Sequence, residues 1–121
     1  MGNSYKMVNM KKVKVYIASP YTLGDTAVNV KRQIDTFHIL RDNGFYPFAP
    51  LHSHFLHMFE ERGYEDWLEW DFVWLESCDC VLRLDGESSG ADREVKHAEE
   101  LDIPVFYSLD ELYDYYDINI F

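Results

Sequence analysis

Two carboxylates and one tyrosine stand where chemistry would need them. Glu94 ends the segment Asp85-Gly-Glu-Ser-Ser-Gly-Ala-Asp-Arg-Glu94, which follows a strand-like run and opens a helix. Ala91, Ala98 and Leu101 lie three, four and seven residues from it and share its helix face. That face is small and apolar, so it is expected to pack on a sheet. A carboxylate there has two readings. It is either a stripe-edge residue favoured by the helix dipole, or a partly buried nucleophile or base aimed into a crevice. Asp71 poses the same choice, because helical spacing puts Trp67, Trp74 and Leu75 on its side. Burial among aromatics raises a carboxyl pKa and suits a proton donor; the alternative is that Asp71 sits at the margin of a Trp core. Tyr16 lies inside an apolar run near its carboxyl end. A core tyrosine is the default there, but its hydroxyl can reach a crevice.

Ser88, Ser89 and Gly90 would offer hydroxyls and backbone N–H groups at a positive helix end, a ready anion site. Such turns also serve simply as helix caps. No lysine follows, so a triphosphate-binding P-loop is disfavoured. His52, His54 and His57 form H-x-H-x-x-H, but no other motif supports a metal, and no metal or cofactor is expected. Their neighbours Phe55, Leu56, Met58 and Phe59 suggest a lid or a subunit contact. The aromatic tail (Tyr113, Tyr115, Tyr116, Ile120, Phe121) is expected to pack on its own domain or on a neighbouring subunit.

The elements that must position these groups alternate. Strands are expected at Val13–Ala18, Phe45–Phe48, Cys80–Leu84 and Val105–Tyr107. Helices are expected at Thr26–Asn43, Tyr64–Glu76, Ser89–Leu101 and from Ser108 to about Tyr116. The first helix shows apolar positions at Val30, Ile34, Phe37 and Leu40/Ile39 and is closed by Gly44. Ser89 with Asp92 resembles a capping box, and Ser108 with Glu111 another. Asp79 is read as structural. Residues 51–63 fit no element clearly. This alternation implies an α/β fold: a single flavodoxin-like or Rossmann-like three-layer domain with a mainly parallel sheet of 4–5 strands. Its ligand site belongs at the strands' carboxyl ends, in the loops Ser19–Asp25, Ala49–His57 and Asp85–Gly90.

Composition narrows the partners. The 121 residues carry 11 basic and 22 acidic side chains, a net charge of −11. Residues 1–14 hold four lysines and no acid, leaving seven bases against all 22 acids in the rest. That balance disfavours polymeric nucleic acid and anionic membrane surfaces. Apolar runs are too short for a membrane span or a signal-peptide core. Cys78 and Cys80 are too close for an ordinary disulfide and are read as reduced thiols of a cytoplasmic protein. Residues 1–12 are expected to be a flexible lead-in to a domain spanning 13–121.

Together the motifs resemble the nucleoside 2-deoxyribosyltransferase-like superfamily, including the nucleoside 5′-monophosphate N-glycoside hydrolases. The resemblance runs from Val13 to about Tyr107. It rests on Val15-Tyr16-Ile17-Ala18-Ser19-Pro20-Tyr21 and Pro47-x-x-Pro50 with His52. It continues through Trp70-Asp71-x-x-Trp74-Leu75-x-x-Cys78-Asp79 and Ser88-x-Gly90-x-x-x-Glu94-x-x-x-Ala98. It implies a small-molecule nucleoside or nucleotide substrate and a homodimer or larger assembly. It gives the nucleophile to Glu94, proton transfer and substrate binding to Asp71, and the holding of the nucleophile to Tyr16. Ser19, Tyr21, His52, Ser88, Ser89 and Gly90 would contact substrate. A serine at Ser88 matches the monophosphate hydrolases rather than the transferases. The first loop, Pro20-Tyr21-Thr22-Leu23-Gly24, lacks the hydrolases' glycine- and arginine-rich pattern, and Asp92 replaces a glycine common before the glutamate. The reading is therefore N-glycosidic cleavage of a (deoxy)nucleoside 5′-monophosphate through a glutamate nucleophile. Base exchange and non-catalytic nucleotide sensing are its alternatives, and Arg93 or Lys96 are possible phosphate helpers.

Overall fold

A computed structural model describes residues 12–118. Four strands, β1 (Lys14–Ala18), β2 (Tyr46–Phe48), β3 (Cys80–Arg83) and β4 (Val105–Phe106), form one parallel sheet in the order β2-β1-β3-β4. The helices are α1 (Thr26–Asp42), α2 (Ser53–Phe59), α3 (Tyr64–Leu75), α4 (Ser89–Glu100) and α5 (Leu109–Tyr115), with a 3-10 turn at Pro50–His52. The expected α/β architecture is present, with helices on both faces. Residues 51–63, unassigned from sequence, become the 3-10 turn and α2, so Ala49–His57 is mostly helical rather than a loop. The proposed lead-in (through residue 11) and the tail residues Ile120 and Phe121 lie outside the described residues.

Strand alternation sorts the core into two faces. Val15 and Ile17 of β1, with Val13 before it, pack with Leu40, Phe45, Leu82, Phe106 and Leu112. Tyr16 and Ala18 face the other way and pack with Leu75, Val81, Ala91 and Ala98 of α3, β3 and α4. The same two-residue period that buries Ile17 under α1 therefore sends Tyr16 toward α3 and α4. Tyr113 and Tyr116 of the tail pack on Phe45 of their own chain, while Tyr115 is largely exposed.

Local details depart from expectation in instructive ways. Ser88, not Ser89, caps α4: its hydroxyl accepts from the Ala91 N–H at 3.1 Å. Leu101, expected on the packed stripe, is exposed, because α4 ends at Glu100 and the chain turns through Asp102 at φ 59°. On α1 the buried positions are Val30, Gln33, Thr36 and Leu40; Ile39 is exposed, and two polar residues occupy the buried stripe. Trp74 stacks on Phe48 yet stays exposed on its other side. Asp79 is structural as expected, accepting the Lys14 N–H at 2.8 Å. Ser108 caps α5, and Glu111 accepts the Tyr107 N–H. Gly44 follows the end of α1 at φ 92°, a left-handed conformation that glycine takes freely.

β1 and β3 are adjacent and lead to opposite edges of the sheet, which opens a crevice beyond their carboxyl ends. Among the described residues no helix is long and apolar enough to cross a membrane.

Candidate active site

A cavity of about 390 Å³ fills that crevice, within the usual range for small-molecule sites. Ser19, Tyr21, Thr22 and Leu23 line it from the loop after β1. Leu51, Ser53 and His57 line it from the 3-10 turn and α2. Arg62 and the α3 residues Tyr64, Trp67, Leu68 and Asp71 form another wall. Glu87, Ser88, Ser89, Gly90, Ala91 and Glu94 complete it from the loop after β3 and the start of α4.

Glu94 is the buried reading, not the stripe-edge one. It is 6% exposed, and the hydroxyl of the fully buried Tyr16 donates to its Oε2. Burial pushes the Glu94 carboxyl up to about 8; the Tyr16 hydrogen bond opposes this, the Asp71 charge adds to it, and Arg83 counters it. Burial pushes Asp71 up to about 7. Its Oδ1 is buried without a hydrogen-bond partner among the described residues. Two carboxyls in one low-dielectric pocket titrate as a pair. They hold protons at neutral pH that ordinary carboxylates have lost. Tyr16 is pushed well above the usual phenol value, first by its own burial and then by Glu94, so it stays a donor.

The supporting residues were less visible in the sequence. Gln33 of α1 is wholly buried. Its amide donates to the Ile17 carbonyl at 3.1 Å and to the Ser19 hydroxyl at 2.7 Å, and it accepts the Leu51 N–H at 2.8 Å. One side chain thus ties two walls of the cavity together. Asn29 donates to the carbonyls of Tyr21 and Leu23 at 2.9 and 2.8 Å, fixing the first loop. Arg83, buried at the end of β3, donates to the carbonyls of Leu84 and Gly86 and to Asp92. Asp92, standing where a glycine was expected, is therefore the partner of a buried arginine.

Most of the candidate residues converge. Ser19, Tyr21, Asp71, Ser88, Ser89, Gly90 and Glu94 all line the cavity, with Tyr16 beneath Glu94. His52 does not. Its Nδ1 lies 2.6 Å from the Ala49 carbonyl and its ring packs edge-on against Phe48 and Trp70. The histidine in the wall is His57, five residues further on in α2. His54 pairs with the Tyr21 hydroxyl at 2.6 Å. The three histidines have separate partners, and no metal-binding cluster occurs among the described residues. Arg93, a suggested phosphate helper, is instead paired with Glu65, and neither it nor Lys96 lines the cavity. Arg62 does. Both cysteines are free thiols, pushed up by burial to about 11 (Cys78) and about 12 (Cys80), and so are poor nucleophiles.

Residues 13–108 match the family described as "Domain of unknown function (DUF7768)". The chain belongs to that family. No curated protein sequence matches it. Among solved structures, this DUF7768 chain is similar to a 2-deoxyribosyltransferase from the psychrotolerant bacterium Bacillus psychrosaccharolyticus. The TM-score is 0.61 at 23% identity, over 77% of this chain and 69% of that one. The likeness establishes a shared α/β fold.

Proposed function

We propose that this protein cleaves the N-glycosidic bond of a (deoxy)nucleoside 5′-monophosphate, with Glu94 as nucleophile. The observation that carries the reading is the Tyr16–Glu94 hydrogen bond at a cavity that Asp71 also lines. The fold shared with a 2-deoxyribosyltransferase supports it. In the first step a Glu94 oxygen bonds to the anomeric carbon as the carbon–nitrogen bond breaks, through an oxocarbenium-like transition state. The bond's electron pair leaves on the base nitrogen, which takes the Asp71 proton. Water then attacks the anomeric carbon, gives its proton to Asp71 and frees Glu94.

The chemistry needs Glu94 ionised and Asp71 protonated. Burial raises both carboxyls, and the pair shares its protons, so the ionised Glu94 and protonated Asp71 arrangement is one distribution of a proton the pocket already retains. The Tyr16 hydrogen bond favours the ionised Glu94, and positive charge developing on the sugar favours it further. The 5′-phosphate would meet the Ser88 and Ser89 hydroxyls and the first N–H groups of α4, with Arg62, itself paired with Glu60 and Asp66, as the cation lining the cavity. Assembly into a homodimer or larger oligomer belongs to the same proposal. The exposed Phe55, Leu56, Met58 and Phe59 of α2 support it.

The neighbour's own activity favours base exchange as the second reading. Incubating the protein with nucleosides and their monophosphates, with and without an acceptor base, separates the cases. Release of free base alone means hydrolysis, and exchange means transfer. Binding without turnover means a nucleotide sensor and refutes the proposal. E94A is expected to abolish turnover; an active E94A refutes Glu94 as the nucleophile.

A further inference from the structure

His57 is held in one tautomer by its surroundings. Its Nδ1 accepts two N–H donors, the Trp67 indole at 3.0 Å and the Arg62 backbone at 3.2 Å. A nitrogen that accepts carries no proton, so the neutral ring bears its hydrogen on Nε2. Nε2 has no protein partner among the described residues, and His57 lines the cavity. The ring stands edge-on to Trp67, with centroids 6.2 Å apart. Trp67 lies one turn before Asp71 on α3, and both line the cavity with Leu68 and Tyr64. An aromatic wall beside a proton donor is where a departing planar base would rest. We propose that His57 selects the base: its Nε2–H donates to a carbonyl oxygen on the base edge, so oxo-bases are preferred over amino-bases.

This inference rests on the proposed nucleoside site and names the class of base within it. The selection is physical. A fixed N–H donor facing a carbonyl oxygen forms a hydrogen bond. The same donor facing an exocyclic amino group meets another donor and leaves both unpaired. Turning Nε2 into an acceptor would put the proton on Nδ1 and lose both the Trp67 and the Arg62 bonds. Hypoxanthine and adenine differ at this position in this way, as do uracil and cytosine. The bond also strengthens as the leaving base gains negative charge.

The test measures binding of the free bases to the full-length protein by calorimetry, which needs no turnover. The wild type is expected to bind hypoxanthine over adenine, and uracil over cytosine, by about tenfold. In H57A the ratio falls to about one, and in H57Q, whose amide N–H can stand in for Nε2–H, most of it returns. A purely structural role would weaken both members of a pair alike and leave the ratio unchanged. Equal binding of the pairs by wild type, no binding of any base, or a preference that survives H57A overturns the proposal. Nitrogen-15 NMR of the wild type, with His57 assigned by comparison with H57Q, tests the tautomer without relying on the folding of H57A. An Nε2-protonated ring is expected, and an Nδ1-protonated ring overturns it. If His57-dependent base selection appears while no nucleoside is turned over, the catalytic reading fails and this one stands. Turnover with no base preference gives the reverse.

Discussion

Replacing Glu94 by glutamine is expected to stabilise the fold, and to do so only at higher pH. The Glu94 carboxyl is raised from 4.5 to about 8 on folding. Below about pH 4.5 it is protonated in folded and unfolded chains alike, and its stability contribution is fully present. As pH rises, the unfolded chain releases the proton and the folded one keeps it, so stability falls until pH passes about 8. Between pH 5 and the folded pKa of about 8 lie three units. At about 1.4 kcal/mol each they amount to a ceiling of about 4 kcal/mol. Glutamine keeps the shape and an acceptor for Tyr16 but has no proton to lose. It also removes a neighbouring charge that disfavours ionised Asp71. E94Q should therefore match the wild type to within about 1 kcal/mol near pH 5. It should exceed it by about 2 to 4 kcal/mol near pH 9, raising Tm by roughly 10 °C. Urea unfolding of both proteins at the two pH values measures the difference, because every carboxylate except Asp71, which interacts with Glu94, cancels between them. A gain independent of pH, or a loss at pH 9, would refute the claim that the fold confines an ionisable carboxylate at cost to itself.

Three other substitutions probe the same frame. Y16F removes a hydrogen bond that favours ionised Glu94, so its pKa should rise further by about one to two units. The alkaline shift should appear in the acid limb of the pH–rate profile, and an unmoved limb contradicts the role given to Tyr16. Q33A leaves the Leu51 N–H and the Ile17 carbonyl without their buried partner. It should lose about 2 to 4 kcal/mol in urea unfolding, against near neutrality if Gln33 were incidental. Gly86 sits at φ 115°, and a Cβ there would lie 2.8 Å from Pro20 Cγ. G86A should therefore cost about 1 to 3 kcal/mol, and an unchanged midpoint would show that the contact is not retained.

Local chemistry made much of this molecule legible from sequence. β-Branched runs marked β1 and β3, and Gly44 and Ser108 marked a helix end and a helix start. These signals act over a few residues, which is why they survive without knowledge of the partners. Glu94 was legible as a carboxylate on an apolar face. The choice between a solvated edge and a buried acid was not, because it depends on Tyr16, 78 positions away in sequence. Gln33 was missed for the same reason, and Arg83 because its burial, not its local partners, depends on the tertiary packing. A glutamine in a helix or an arginine at a strand end is ordinarily a surface residue. The crossing of α1 over β1 gives Gln33 the Ile17 carbonyl it serves, whereas Arg83 is held by the carbonyls of its own following loop and by Asp92 of α4.

The histidines show the boundary most plainly. The sequence by itself determined that a His-rich segment would follow β2 at the binding end of the sheet, since the alternation of strand and helix dictates where such connections emerge. The resemblance pointed to His52, but spacing alone could not choose among His52, His54 and His57, because all three lie within six residues in a stretch with no clear period. Tertiary structure decided it. The segment folds as a 3-10 turn and a two-turn helix, which sends His52 against Phe48 and Trp70, His54 to Tyr21, and His57 into the cavity beside Trp67. Residue type supplied the imidazole, and the packing of α2 against α3 determined which nitrogen keeps its proton.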